Sequence, residues 1–259
     1  MTFISNSRKF IFIHLHKCGG TSVEIALESA MEWNDILLGS SKYGVNFQSI
    51  YGSKFGLYKH SSASQIKQMV GSEIWEEYFT FAIIRHPIDR LISLYNFFNT
   101  YYLKGFRGLS MRSLSLLDQF SFFDQLVSIS PAIVKSLEKQ RLPFRWPALK
   151  GAMQAKNISQ FIHYPEIFNA SALQPQFLQL SGEKGESLLV DRYWKLENLD
   201  QEWNSICYAL NLNLELPHLN RSKKKYSDFR EYFSLDELDF LHHQYQKDFW
   251  VGSNKTRVD

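Results

Sequence analysis

Lys17, Gly19, Gly20, Thr21 and Ser22 fall together in the stretch "FIFIHLHKCGGTSVEIAL", residues 10–27, where an apolar run breaks and then resumes with helical spacing. Those residue types suit an anion. Glycines let backbone amides approach a phosphate closely, the start of a helix adds a favourable dipole, and the two hydroxyls add donors. A helix terminus alone supplies about 0.3–1 kcal/mol toward an anion, so recognition needs the Lys17 charge as well. Taken alone, the pattern also fits a plain strand-to-helix turn carrying a surface lysine. It is not the loop of nucleoside triphosphatases, which ends in Gly-Lys-Ser/Thr with the lysine on the helix side. Here the lysine precedes the glycines, a placement that lets it reach an oxygen at the bridge of a short anhydride, where a leaving phosphate would develop charge.

A second candidate lies in "YFTFAIIRHPIDRLISLYNFF", residues 78–98. Arg85 ends a strand pattern, and Ser93, eight residues later, falls about two helical turns along, so both can serve one further anionic group. By itself an arginine at a strand end is more often solvated or ion-paired.

The elements that must position these groups follow from periodicity. Residues 10–16 form a near-continuous apolar run rich in β formers, the mark of a strand buried on both faces of a parallel sheet. After it, Val23, Ala26, Leu27 and Ala30 mark a helix that Thr21 or Ser22 can cap. Residues 78–84 repeat the strand, and Pro87 opens a helix with Ile88, Leu91, Ile92 and Tyr95 on its apolar stripe. Residues 39–62, rich in Gly, Ser and Tyr, read as a loop stretch before a helix at "SASQIKQMV". "SLLVDRYWKLENL" gives a strand ending near Glu197, followed by a helix bearing Leu199, Trp203, Ile206, Cys207 and Leu210. A closing helix starts at a capping box of Ser234 and Glu237. The expectation is an α/β fold: a P-loop-like parallel sheet flanked by helices, forming one domain over residues 1–259. A mainly helical insertion at about 103–185 is expected to shape an acceptor pocket. Both anion loops then sit at the carboxyl edge of the sheet, where open parallel sheets bind ligands.

Composition narrows the class. A net charge of +3 over 259 residues, with a pI near 8.7, is far from the basic footprint of a nucleic-acid binder. Two cysteines, Cys18 and Cys207, make no disulfide framework. The opening apolar run is too short for a signal core, and no stretch reaches the roughly 18 apolar residues of a membrane span. A cytoplasmic protein with no membrane or nucleic-acid partner is expected. His242 and His243 do not share a helix face, and no ligand spacing supports a metal. The run Lys135, Lys139, Arg141, Arg145 and Lys150 reads as a solvated face, or as a receiver of an acidic saccharide.

"FIHLHKCGGTS" and "FAIIRHPIDRLISLY" resemble the paired nucleotide motifs of sulfotransferases that use 3′-phosphoadenosine 5′-phosphosulfate (PAPS). The similarity is to the group that includes Golgi carbohydrate sulfotransferases such as heparan sulfate 2-O-sulfotransferase. "YKHSSASQI", "KLENL", "LPHLNRS" and "YQKDF" are similar to further landmarks of that family, in its order along the chain. The resemblance implies that Lys17, Cys18, Gly19, Gly20, Thr21 and Ser22 hold the 5′-phosphosulfate and that Arg85 and Ser93 hold the 3′-phosphate. It implies His60 as catalytic base, Lys17 as the charge on the departing phosphate, and one of Lys223, Lys224 and Lys225 in a loop over the nucleotide. No metal is implied. His16, Cys18 and His86 depart from the commonest family residues without removing a binding group.

The implied reaction is in-line transfer of the sulfuryl group to a hydroxyl or amine of a small acceptor, with His60 near its ordinary pKa of about 6.5. A short, bacterial-type enzyme acting on a natural product, such as a hydroxylated alkaloid, is the leading expectation; carbohydrate O-sulfation or a P-loop nucleotide kinase are the alternatives. Of the remaining residues, His14 is expected as a hydrogen-bonded core histidine and His16 as a neighbour of the site. Arg90 and Glu197 are expected as structural ties.

Overall fold

The computed structural model describes residues 2–105, 146–182, 185, 187–217 and 228–253. Its sheet has five strands in the order β3-β1-β2-β4-β5: β1 Thr2–Ser5, β2 Phe10–Ile13, β3 Ile36–Leu38, β4 Phe79–Ile84 and β5 Arg192–Lys195. The expected parallel arrangement holds for β2, β4 and β5. It fails at β1, which runs antiparallel to both β2 and β3, so the sheet is mixed. Only residues 6–9 join β1 to β2, too short for the crossover that a parallel pair requires.

The helices are α1 Gly20–Glu28, α2 Lys42–Phe55, α3 Ala63–Val70, α4 Ser72–Glu77, α5 Pro87–Phe97, α6 Pro147–Gln154, α7 Ile158–Ile162, α8 Gln176–Leu180, α9 Leu199–Ala209, α10 Leu235–Gln244 and α11 Gln246–Ser253. Residues of β1, β2, β4 and β5 alternate between two cores. Phe3, Phe10, Phe12, Phe81 and Trp194 meet α1 and α9 on one face. Ile4, Ile11, Ile13, Ala82 and Ile84 meet α3, α4 and α8 on the other. Burial on both faces is why the strands read as continuous apolar runs. The expected stripe of α9, Leu199 through Leu210, is buried throughout.

Chain contacts divide the molecule into two compact units. One comprises Met1–Arg90, Pro175–Lys225 and Phe240–Asp259; the other comprises Leu91–Gln174 and Tyr226–Asp239. The first contains the sheet. In the second, α6 and α7 are followed by a 3₁₀ turn at Pro165–Asn169, and Tyr95 packs on Phe161 with ring centroids 5.2 Å apart. Glu237 there accepts from the Ser159 hydroxyl at 2.6 Å and pairs with His163 at 2.9 Å. The expected capping box is present, Ser234 N–H donating to Glu237 and Glu237 N–H to the Ser234 hydroxyl. Of the expected insertion, residues 106–145 lie outside the described residues, and with them Lys135, Lys139, Arg141 and Arg145.

Three local expectations need correction. Residues 42–55, read as loop, form α2, capped by Ser41 and ended by Gly56 at φ 66°. Its glycines disguised it, and they are there for packing: a Cβ on Gly44 would meet the Leu37 side chain at 2.7 Å, and one on Gly52 would strike the Tyr58 ring. Neither Thr21 nor Ser22 caps α1, because the helix starts earlier, with Gly19 at the cap. The closing helix is two helices, α10 and α11.

Candidate active site

Parallel registry brings the carboxyl ends of β2, β4 and β5 to one edge of the sheet. Three connections leave there: residues 14–19 after β2, Arg85 and His86 after β4, and Leu196–Asn198 after β5.

The first connection is shaped by backbone conformation. Lys17 has φ 63° and Gly19 has φ 71°, both in the left-handed region that favours glycine. A Cβ on Gly19 would strike the Leu196 side chain, and one on Gly20 would strike the His14 imidazole, so neighbouring groups press against the loop where glycine stands. Behind it, α1 begins with no acidic residue in its first turn. The Ser22 amide in that turn donates to the Gly19 carbonyl at 3.1 Å, and the start of a helix is a favourable place for an anion.

The second connection lies against the first. The Arg85 guanidinium donates through Nη1 to the Lys17 carbonyl at 3.2 Å. Burial first, and then the Arg85 charge, lower the Lys17 pKa to about 8. Two turns that each carry a cationic residue thus lie side by side, an arrangement suited to a ligand with more than one anionic group. Ser93 is buried on α5, in the part of that helix assigned to the second unit.

His60 comes from the loop before α3. Its Nδ1 lies 3.0 Å from the His14 carbonyl oxygen. A carbonyl can only accept, so Nδ1 carries the proton and Nε2 keeps its lone pair. The His16 ring stacks on His60 with centroids 3.5 Å apart. Burial, followed by His16, Lys59 and Lys17, pushes the His60 pKa well below its ordinary value. This corrects the expectation of a value near 6.5: an imidazolium there would be stripped of water beside two lysines. His16 is lowered to about 3, first by burial and then by Arg90. Lys59, next to His60, is tied to buried Glu24 of α1 at 3.3 Å, and Glu24 also accepts from the Ser41 amide at 2.9 Å.

Cys18 is no nucleophile. Burial pushes its thiol up to about 12, and its Sγ donates to Gln176 Oε1 at 3.2 Å. Glu197 is a tie, as expected, accepting from the His86 amide at 2.8 Å. Arg90 pairs with Asp248 at 4.0 Å, both fully buried. His14 is buried, but among the described residues its Nδ1 has no hydrogen-bond partner, so its contribution is its carbonyl rather than a bonded ring. Lys223, Lys224 and Lys225 lie outside the described residues. Among the described residues no three His, Cys, Asp or Glu side chains gather as a metal site. No described helix is long and apolar enough to cross a membrane.

The site therefore joins a glycine-bearing strand-to-helix turn, a second turn carrying an arginine and an imidazole with a fixed tautomer on an α/β sheet. A family model described as "Sulfotransferase family" matches residues 1–121, the segment that supplies all three. Over that segment the chain is similar to sulfotransferases, a likeness that supports sulfuryl transfer in general. No curated protein and no solved structure matches the chain.

Sequence reasoning missed two residues of this edge, Gln176 and Asp248. Asp248 lay inside a landmark segment, "YQKDF", without a role. Gln176 carried no signal, since a glutamine opening a five-residue helix matches no motif.

Proposed function

We propose that this enzyme transfers the sulfuryl group of PAPS to a hydroxyl, or an amine, of a small diffusible acceptor in the cytoplasm, as a single domain whose 103–185 segment selects the acceptor. A hydroxylated natural product is the acceptor class we put first. The observation that carries this reading is the contact between Arg85 and the Lys17 carbonyl, which sets two cationic turns side by side for a ligand phosphorylated at two positions.

The residues suit that ligand. Gly19, Gly20, Thr21, Ser22 and the α1 terminus, with Cys18 fixing the loop beneath them, are suited to hold the 5′-phosphosulfate; Arg85 is suited to the 3′-phosphate, and Ser93 enters on the family resemblance alone. Lys223, Lys224 and Lys225 enter on the family resemblance alone. PAPS supplies an activated sulfuryl group on a phosphate leaving group. His60 Nε2 accepts the acceptor's proton while the His14 carbonyl keeps Nδ1 protonated. Lys17 provides the positive charge where negative charge builds on a departing phosphate. A polyanion beside Lys17 and Lys59 offsets the charges that depress His60, which raises its basicity when the site is filled.

Calorimetric titration with adenosine 3′,5′-bisphosphate (PAP) and with ATP plus magnesium tests the reading. PAP is expected to bind far more tightly. Preference for ATP would refute it.

A further inference from the structure

Gln176 is 3% exposed and uses its whole amide. Oε1 accepts from the Arg85 backbone N–H at 2.9 Å and from the Cys18 thiol at 3.2 Å. Nε2 donates to the Arg85 carbonyl at 2.8 Å and to Asp248 Oδ2 at 3.3 Å. The amide orientation is fixed by these partners, because turning it over would set donor against donor at the Arg85 N–H and acceptor against acceptor at its carbonyl. Gln176 is itself held from below: Asp248 accepts from its backbone N–H at 2.9 Å and from that of Phe177 at 2.8 Å.

One buried side chain thus grips both peptide groups of the second turn and the thiol of the first. We propose that Gln176 is a positioning residue that sets the span between the two anion-binding turns, and through that span the preference for a ligand phosphorylated at both ends of one adenosine. This rests on the nucleotide reading above. An arginine with a loosened backbone still carries its charge but no longer presents it at a fixed distance from the cradle. Weakening should therefore be concentrated in the second phosphate rather than spread over the whole ligand.

The test compares PAP with adenosine 5′-monophosphate, which lacks the 3′-phosphate, by calorimetry on the full chain. Gln176→Met keeps the shape and removes all four bonds; Gln176→Asn keeps an amide one methylene too short to reach both turns. Each variant is first checked for a cooperative urea transition, and Asn serves if Met does not fold. We expect the ratio of the two dissociation constants to shrink by about tenfold to 10²-fold, with the monophosphate affinity within about threefold of the wild type. An unchanged ratio, or equal loss for both ligands, would overturn the inference and leave the nucleotide reading standing. A wild-type protein with no preference for PAP would instead overturn the nucleotide reading.

Discussion

The turns after β2 and β4 end neighbouring strands of one sheet, yet they are held in different ways. The first is built from its own backbone: Lys17 and Gly19 at positive φ, and glycines where His14 and Leu196 press in. The second keeps no unusual backbone angle and is instead gripped from far along the chain, by Gln176 on Arg85 and Glu197 on His86. A non-glycine residue held near Lys17's φ costs roughly 1–3 kcal/mol, which a fold tolerates where the conformation serves the site. The difference suggests a division of labour. The self-shaped turn, with His60 hung on the His14 carbonyl just before it, is suited to chemistry, and the clamped turn is suited to binding.

The largest expected effect is on the chemical side. His60→Ala should lower kcat by about 10²–10⁴-fold while the PAP dissociation constant stays near the wild-type value. Turnover unchanged with a confirmed acceptor would detach His60 from the reaction. Lys17→Ala comes next, with kcat down by about 10²–10³-fold, the usual cost of removing one donor to developing charge. Arg85→Ala tests the other half of the comparison. Charge-assisted hydrogen bonds contribute about 1.5–3 kcal/mol, so PAP should bind about 10-fold to 150-fold more weakly while kcat at saturation moves little. If Arg85→Ala instead cut kcat and spared binding, the division between the turns would be reversed.

The same contrast explains what could be read from the sequence. The first turn was legible because its instructions are local: a β-rich run, a lysine, two glycines and a helical stripe lie within residues 10–27. Arg85 and Pro87 were legible for the same reason. The clamp was not, because Gln176 lies 91 residues from Arg85 and 158 from Cys18, and only the fold brings them together. β1 was missed because four residues, Thr2–Ser5, are too few for a period to show. The stacking of His16 on His60 was likewise hidden: adjacency to Lys17 could be read, but the partner ring arrives from a loop after α2. The depressed basicity of His60 follows first from its burial and then from that neighbouring ring, neither of which its sequence context displays.

The smallest predicted effect couples the two turns. Lys17 titrates at about 8 in the free protein, lowered first by burial and second by Arg85. Below pH 8 it is an ammonium; above, it is a neutral amine. A polyanion favours the charged form, so the pKa in the complex lies above that of the free protein, and between the two values binding takes up a proton. PAP affinity should be insensitive to this group below pH 8 and then fall by up to about tenfold per pH unit. The ligand's own phosphates, with second ionisations near 6, are fully charged there and add no slope. Calorimetry between pH 7 and 10 in buffers of different ionisation enthalpy reads the proton uptake directly. In Arg85→Ala the onset should move to higher pH, because one of the charges that depress Lys17 is gone, and in Lys17→Ala the uptake should vanish. An onset that stays at about 8 without Arg85 would mean that burial alone tunes the lysine and that the turns, though in contact, are not electrostatically coupled.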